Sequence, residues 1–272
     1  MLYQFLKLII ILITVTLFSG CSSTVQEPVP RHDTFKIESA TLNETRVINL
    51  WTPPNYEMTK EAYPVLYMLD GGVKEDFPHI ASTISTLVTQ GDIAPLILVG
   101  IENTERRRDL TGSSQVEADA EIAPLSNGSK EFRQFIRSEL FTAVEKKYRT
   151  TKQRAIIGES VAGLFIVETL LLDPTLFDIY LAIDPSLWWN NHYLVTEATA
   201  LIKILPNKKL KFWFAGSDAI DIYQHTEKLA SILKKTNPEN LQWLYSPEPE
   251  EQHRTIFRAT KEAAFNWGLW KK

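Results

Sequence analysis

Short apolar runs separated by stretches of helical period constrain this chain more than any other feature. The runs lie at 45–52 (TRVINLWT), 64–70 (PVLYMLD), 95–101 (PLILVGI), 154–158 (RAIIG), 178–184 (DIYLAID), 210–215 (LKFWFA) and 241–245 (LQWLY). Continuous apolar segments of this length read as strands buried on both faces. Between them, 129–148 carries Phe132, Phe135, Ile136, Leu140, Phe141 and Val144 at helical spacing, and 161–172, 223–235 and 255–270 read as further helices. Strands that alternate with crossover helices imply an α/β fold, a mostly parallel central sheet with helices on both faces. In such sheets, chemistry is sought beyond the carboxyl ends of the strands.

Composition narrows the function classes. Hydrophobic residues make up 44% and charged residues 23% of the 272, as in core-forming globular proteins. The net charge of −4 offers no basic excess to neutralise a run of phosphates, so no nucleic-acid partner is expected. A single cysteine, Cys21, excludes a disulfide scaffold, a CxxC redox site and a cysteine-rich zinc site within one chain.

That cysteine follows a basic residue, Lys7, an apolar run at 8–18 (LIIILITVTLF) and the small pair Ser19-Gly20. The run is short for a membrane-spanning helix and suits a signal segment. The arrangement resembles a bacterial lipoprotein signal, with Phe18 where leucine is usual. The resemblance implies cleavage before Cys21, lipidation of its thiol and a membrane anchor. With Ser22 following, it also implies the outer membrane, facing the periplasm. Residues 1–20 are thus expected to be signal peptide, 21–33 a polar tether and 34–272 one domain. Without Lys7 the mature net charge becomes −5.

The strongest chemical signal is a strand–turn–helix with serine at the turn. Gly158-Glu159-Ser160-Val161-Ala162-Gly163 joins the run at 154–158 to an apolar helix. The nucleophile elbow has the pattern G-x-S-x-G in this setting. Small residues on either side of the serine let the chain turn tightly, and the helix N-terminus favours developing negative charge. Ala162 stands where the strict pattern has glycine.

With these residues in hand, the chain resembles the esterase D / enterobactin-esterase-like group of α/β hydrolases, which includes feruloyl esterases and mycolyltransferases. Matching segments run in order at 63–72 (YPVLYMLDGG), 99–111 (VGIENTERRRDLT), 132–150 (FRQFIRSELFTAVEKKYRT), 154–165 and 173–190 (DPTLFDIYLAIDPSLWWN). The resemblance implies serine-dependent ester hydrolysis through an acyl-enzyme, without metal or organic cofactor, on a small-molecule ester. Siderophore, feruloyl and small acyl esters are the candidates. Acyl transfer and a catalytically inactive binding lipoprotein are the competing readings.

Serine needs a base. Of five histidines, His253 follows the last strand, and its place after the serine fits the Ser–acid–His order of these enzymes. For the acid, the family pattern points to Asp218, past the run at 210–215, with Asp221 and Glu227 as alternatives. The oxyanion donors are expected to be the backbone N–H groups of Val161 and, by resemblance, Gly72. Within Arg106-Arg107-Arg108-Asp109, Arg108 is the candidate substrate contact, against a surface charge run. Trp188 and Trp189 either line the pocket or pack. Glu159 replaces a histidine common in relatives and adds negative charge beside the serine; the motif gives it no role.

Overall fold

The computed structural model describes residues 28–271. Residues 1–20, where a signal peptide is expected, and Cys21, the expected lipidation site, lie outside the described residues.

Eight strands form one sheet. In chain order they are β1 (Asp33–Ser39), β2 (Glu44–Trp51), β3 (Tyr63–Met68), β4 (Ile97–Ile101), β5 (Thr150–Glu159), β6 (Ile179–Ile183), β7 (Leu210–Gly216) and β8 (Leu241–Pro247). Their spatial order is β1-β2-β4-β3-β5-β6-β7-β8, antiparallel from β1 to β4 and parallel from there on. The helices are α1 (Phe77–Gln90), α2 (Arg106–Leu110), α3 (Gly128–Phe135), α4 (Phe141–Lys147), α5 (Val161–Leu172), α6 (Trp189–Lys203), α7 (Ile220–Thr236) and α8 (Ile256–Gly268). This is the expected α/β-hydrolase architecture.

Every residue of β4 and β6 is buried, as their unbroken apolar runs require. Two apolar layers result. One face of the sheet packs Phe132, Phe135, Phe165 and Phe177 from the α3–α5 side, and the other packs Phe77, Ile80, Ile84, Phe257 and Phe265 from α1 and α8. Helix α5 is buried from Val161 to Leu171, apolar all round, and so reads as the central helix.

Several elements go beyond the expected set. β1 alternates exposed and partly buried residues, so it carries no continuous apolar run. α1 buries Phe77, Ile80, Ala81, Ile84, Leu87 and Val88, a helical face behind a proline at its first turn. The helix expected across 129–148 is split by a π turn at Ile136–Leu140. α6 opens on three left-handed residues, Asn190, Asn191 and His192, with φ 51°, 50° and 51°. Among the described residues no helix is long and apolar enough to cross a membrane.

Register decides what meets at the sheet edge. β5 pairs with β6 so that Glu159 lies opposite Ile183, and β6 with β7 so that Ile183 lies opposite Ala215. The next residues, Ser160 and Asp184, therefore leave adjacent strand ends at the same level.

Candidate active site

Ser160 sits at the turn from β5 into α5 with φ 62° and ψ −120°. A non-glycine residue held there stores about 1–3 kcal/mol of strain and persists only where its surroundings over-determine it. They do so here. The Ser160 N–H donates to Ile183 O at 3.0 Å, and its carbonyl accepts from Leu164 N and Ser186 N at 2.9 and 3.1 Å. The small residues of the motif have separate tasks. A Cβ at Gly158 would come within 2.7 Å of Ala162 Cβ. One at Gly163 would come within 2.9 Å of Ile183 O and of Pro185 Cα. Gly163 thus lets α5 lie against the end of β6, while Gly158 and Ala162 keep the turn itself tight.

The loop after β8 brings His253 to this serine. It is fastened to the end of β7 by Glu248 N–H to Gly216 O at 2.8 Å and by Asp218 N–H to Glu251 O at 3.0 Å. His253 Nε2 lies 3.1 Å from Ser160 Oγ, and Nδ1 lies 2.5 Å from Asp184 Oδ2. With the Nδ1–H facing that carboxylate, Nε2 is left as the acceptor for the serine hydroxyl. Asp184 is fully buried and left-handed at φ 48°. Its remaining acceptor capacity is met by the Ser217 N–H at 2.6 Å and the Ser217 hydroxyl at 2.8 Å. The hydrogen bond from Asp184, chiefly, raises the His253 pKa above its ordinary value, against the opposing effect of burial.

The acid partner of His253 is therefore not Asp218. That side chain is exposed, and Asp218 contributes a backbone N–H to the histidine loop. Asp221 and Glu227 are exposed too, on α7. β7 is one strand further from β5 than β6 is, so a residue leaving β6 reaches the imidazole first. Ser217, just past the end of β7, is itself a donor to Asp184. The signal for Asp184 was available: an aspartate at the carboxyl end of an apolar strand, between Ser160 and His253 in chain order.

The Val161 N–H belongs to the first turn of α5, whose donors lack intrahelical partners. Gly72 is engaged: its N–H donates to Glu75 Oε2 at 2.7 Å, and Glu75 N–H returns a bond to Gly72 O at 2.9 Å. Burial raises the Glu75 pKa, even with the Gly72 and Asn103 donors bound to its carboxylate.

Arg108 does not join the site. It pairs with Glu44 and Asp109, in a cluster that also takes in Arg46 and ties α2 to β2. Arg106 is the arginine near the elbow. It grips Asp70 through Nε and Nη2 at 2.5 and 2.8 Å and reaches the Glu159 carbonyl at 3.4 Å. Nothing in the triplet Arg106-Arg107-Arg108 distinguishes these roles before the turn of α2 is known. Trp189 is buried, its indole N–H donating to Gly112 O at 3.1 Å, and it walls a cleft of about 540 Å³ with Gln115, Leu164, Asn190 and Tyr193. Trp188 is half-buried and packs edge-on to Trp189. Neither Ser160 nor His253 lines that cleft.

Glu159 is half-buried next to Ser160, and its Oε1 is buried without a hydrogen-bond partner. Its carboxyl is pushed up to about 7, chiefly by burial; His253 opposes the rise, and Asp76, Asp184 and Asp70 contribute to it. Among the described residues no group of three or more His, Cys, Asp or Glu side chains is placed to hold a metal ion.

The fold that carries these residues has known counterparts. An IroE-like serine hydrolase from Shewanella oneidensis superposes with a TM-score of 0.79 at 28% identity, over 87% of this chain and 79% of the other. The ferri-bacillibactin esterase BesA of Bacillus subtilis is 28% identical over 183 residues, which is 60% of this chain and 61% of that protein. A siderophore enterobactin esterase of Emericella nidulans is 42% identical over 78 residues, 28% of this chain and 26% of that one. The alignments thus span less than two thirds of either of these esterases. The family model named Esterase, described as "Putative esterase", matches residues 39–263, and the chain belongs to that family.

Proposed function

We propose that this protein is a serine-dependent carboxylic-ester hydrolase acting on siderophore-type esters, with Ser160 as nucleophile, His253 as base and Asp184 as the acid that orients it. The observation that carries this reading is the unbroken chain of contacts from Ser160 Oγ to His253 Nε2 and from His253 Nδ1 to Asp184. The siderophore class is supported by its relatives, the ferri-bacillibactin esterase of Bacillus subtilis and the siderophore enterobactin esterase of Emericella nidulans.

In this reading Ser160 Oγ attacks the ester carbonyl as its proton passes to His253 Nε2. The imidazolium is held by Asp184, whose charge is already buried and hydrogen-bonded, so nothing has to reorganise at that step. The oxyanion forms beside the N-terminus of α5, where the Val161 N–H is available. Gly72 serves as second donor once Glu75 withdraws. His253 then returns its proton to the leaving alkoxide, and water repeats the sequence on the acyl-enzyme. The test is turnover of a tri-lactone catecholate siderophore and of 4-nitrophenyl esters by wild type and Ser160→Ala. Labelling of Ser160 by a fluorophosphonate accompanies it. A folded Ser160→Ala variant with full activity overturns the assignment.

The signal pattern ending at Cys21 supports a lipid-anchored enzyme in the cell envelope, so this hydrolysis would take place at a membrane surface.

A further inference from the structure

The cleft of about 540 Å³ beside α5 takes no part in the reaction proposed above. Leu164 and Glu168 line it from α5, one and two turns past Ser160, so it runs down that helix to about 12 Å from the serine. Its opposite walls are tied together. The Asn190 N–H donates to Asp119 Oδ2 at 2.9 Å, the Gln115 N–H donates to Asn190 Oδ1 at 3.0 Å, and the Ser114 hydroxyl donates to Asp119 Oδ2 at 2.6 Å. Asp119 and Ser114 are buried. This knot holds the wall at Asn190 and Asn191 in the left-handed region, a costly conformation for residues other than glycine that persists only where the surroundings impose it.

The polar groups lining the cleft are fixed but only half used. Asn127 Oδ1 accepts the Lys130 N–H at 3.2 Å, as Asn190 Oδ1 accepts that of Gln115. A backbone N–H bonds the amide oxygen, so each Nδ2 is turned the other way. Glu168 is 5% exposed, and its Oε1 accepts from the Ser129 hydroxyl at 3.0 Å and from Arg133 Nη2 at 3.4 Å. Among the described residues no hydrogen bond reaches Glu168 Oε2, Asn127 Nδ2 or Asn190 Nδ2. A buried acceptor left open in this way calls for a partner.

Two oriented amide donors, one carboxylate acceptor and the rings of Trp189 and Tyr193 thus line one concave space. Among the described residues no lysine or arginine lines it, so an anion finds no counter-charge there. The Glu168 charge is already matched by Arg133, so a cation has little to gain. Hydroxyl groups suit the site, because each donates to one group and accepts from another. The C–H face of a sugar ring would bury apolar area against the aromatic rings.

We propose that this cleft is a binding site for an uncharged saccharide, separate from the ester site. It stands on its own residues and does not depend on the hydrolase reading.

The probes are maltotriose, cellotriose and tri-N-acetylchitotriose, followed on the intact protein by saturation-transfer NMR and tryptophan fluorescence. At least one should bind with a Kd of about 1 mM or below. Tyr193→Ala removes an exposed aromatic wall. Asn127→Asp keeps the oxygen that the Lys130 N–H bonds and removes the Nδ2 donor. Each variant should weaken binding about fivefold or more, the scale of one lost hydrogen bond or ring contact. Protein with Ser160 replaced by alanine, or blocked by a fluorophosphonate, should bind as the wild type does. Binding of none of the three probes up to tens of millimolar overturns the proposal. So does binding unchanged in both cleft variants, or binding lost when Ser160 is blocked. Ester turnover plays no part in these readouts, so the proposal and the hydrolase reading fail separately.

Discussion

Asp184 accepts the Nδ1–H of His253 at 2.5 Å from a position with no solvent exposure, at the end of the strand next to the one that leads into Ser160. The pairing makes Asp184 the residue on which base strength and tautomer depend. Asp184→Asn keeps the shape but lets the amide stabilise the wrong tautomer, a change that costs ~10⁴ in kcat in a serine protease. The expected loss in kcat is ~10²–10⁴, while Asp218→Asn stays within about threefold because only its backbone N–H is used. Steady-state kinetics on both folded variants with one 4-nitrophenyl ester decide between them, and a collapse of Asp218→Asn with Asp184→Asn intact reverses the assignment.

The same contact sets the pH profile. In the proposed mechanism only neutral His253 takes the Ser160 proton, and the hydrogen bond to Asp184 raises its pKa above the ordinary 6.5. The ascending limb of kcat/KM should therefore be centred above pH 6.5 in the wild type. It should move downward in Asp184→Asn, on whatever activity remains. A limb centred below 6.5 in the wild type contradicts the hydrogen-bonded pair.

What was legible in the sequence was mostly local. The elbow at Ser160 is written in adjacent small residues, each answering a close approach within the same turn. His253 follows from chain order and its place after the last apolar run. Asp184 was harder, since 178–184 reads as a strand with or without an acid at its end. Its role depends on β6 lying beside β5, a fact of strand order that periodicity does not carry. The family pattern pointed one strand further, to Asp218. Arg106 and Arg108 illustrate the same limit. Two positions apart on a short helix they diverge, one to Asp70 and the other to Glu44.

That divergence is testable. Asp70 is buried and leans on Arg106 for two bonds, so Arg106→Ala leaves a buried charge short of its partner and disturbs the turn that carries Gly72. Breaking such a pair costs about 3–5 kcal/mol, and kcat/KM should fall at least about tenfold, given how steeply rate depends on positioning. Arg108→Ala should cost a comparable amount of stability, since Asp109 is as buried as Asp70 and loses two bonds, but its pairs with Glu44 and Asp109 tie α2 to β2 and leave Gly72 undisturbed. Its kcat/KM should stay within about threefold. Thermal melts and kinetics on the two variants check this, and equal losses of activity would restore a site role for Arg108.

Lipid attachment has its own check. In a bacterial host the protein should incorporate labelled palmitate, and Cys21→Ser should abolish it, since the chain holds no other cysteine. A mature N-terminus found elsewhere and unmodified contradicts the anchor.

The last prediction concerns stability and follows from Glu159. Its carboxyl sits at about 7 in the folded protein against an ordinary 4.5, with burial as the main cause. A group with a raised pKa binds more protons folded than unfolded between those two values. Folding therefore loses stability as pH rises through that window and gains it as pH falls. The full shift corresponds to about 3 kcal/mol, and partial exposure reduces the expected effect to about 1–2 kcal/mol. His253, with its own raised pKa, adds a loss of the same sign above pH 6.5. The wild type should thus melt several degrees higher at pH 5 than at pH 8. Glu159→Gln removes its contribution, so it should reduce that difference and melt above the wild type at pH 8. Melting curves of both proteins from pH 4.5 to 8.5 at constant ionic strength provide the measurement. Parallel curves across the whole range would mean that the Glu159 carboxylate is solvated or paired in the folded protein.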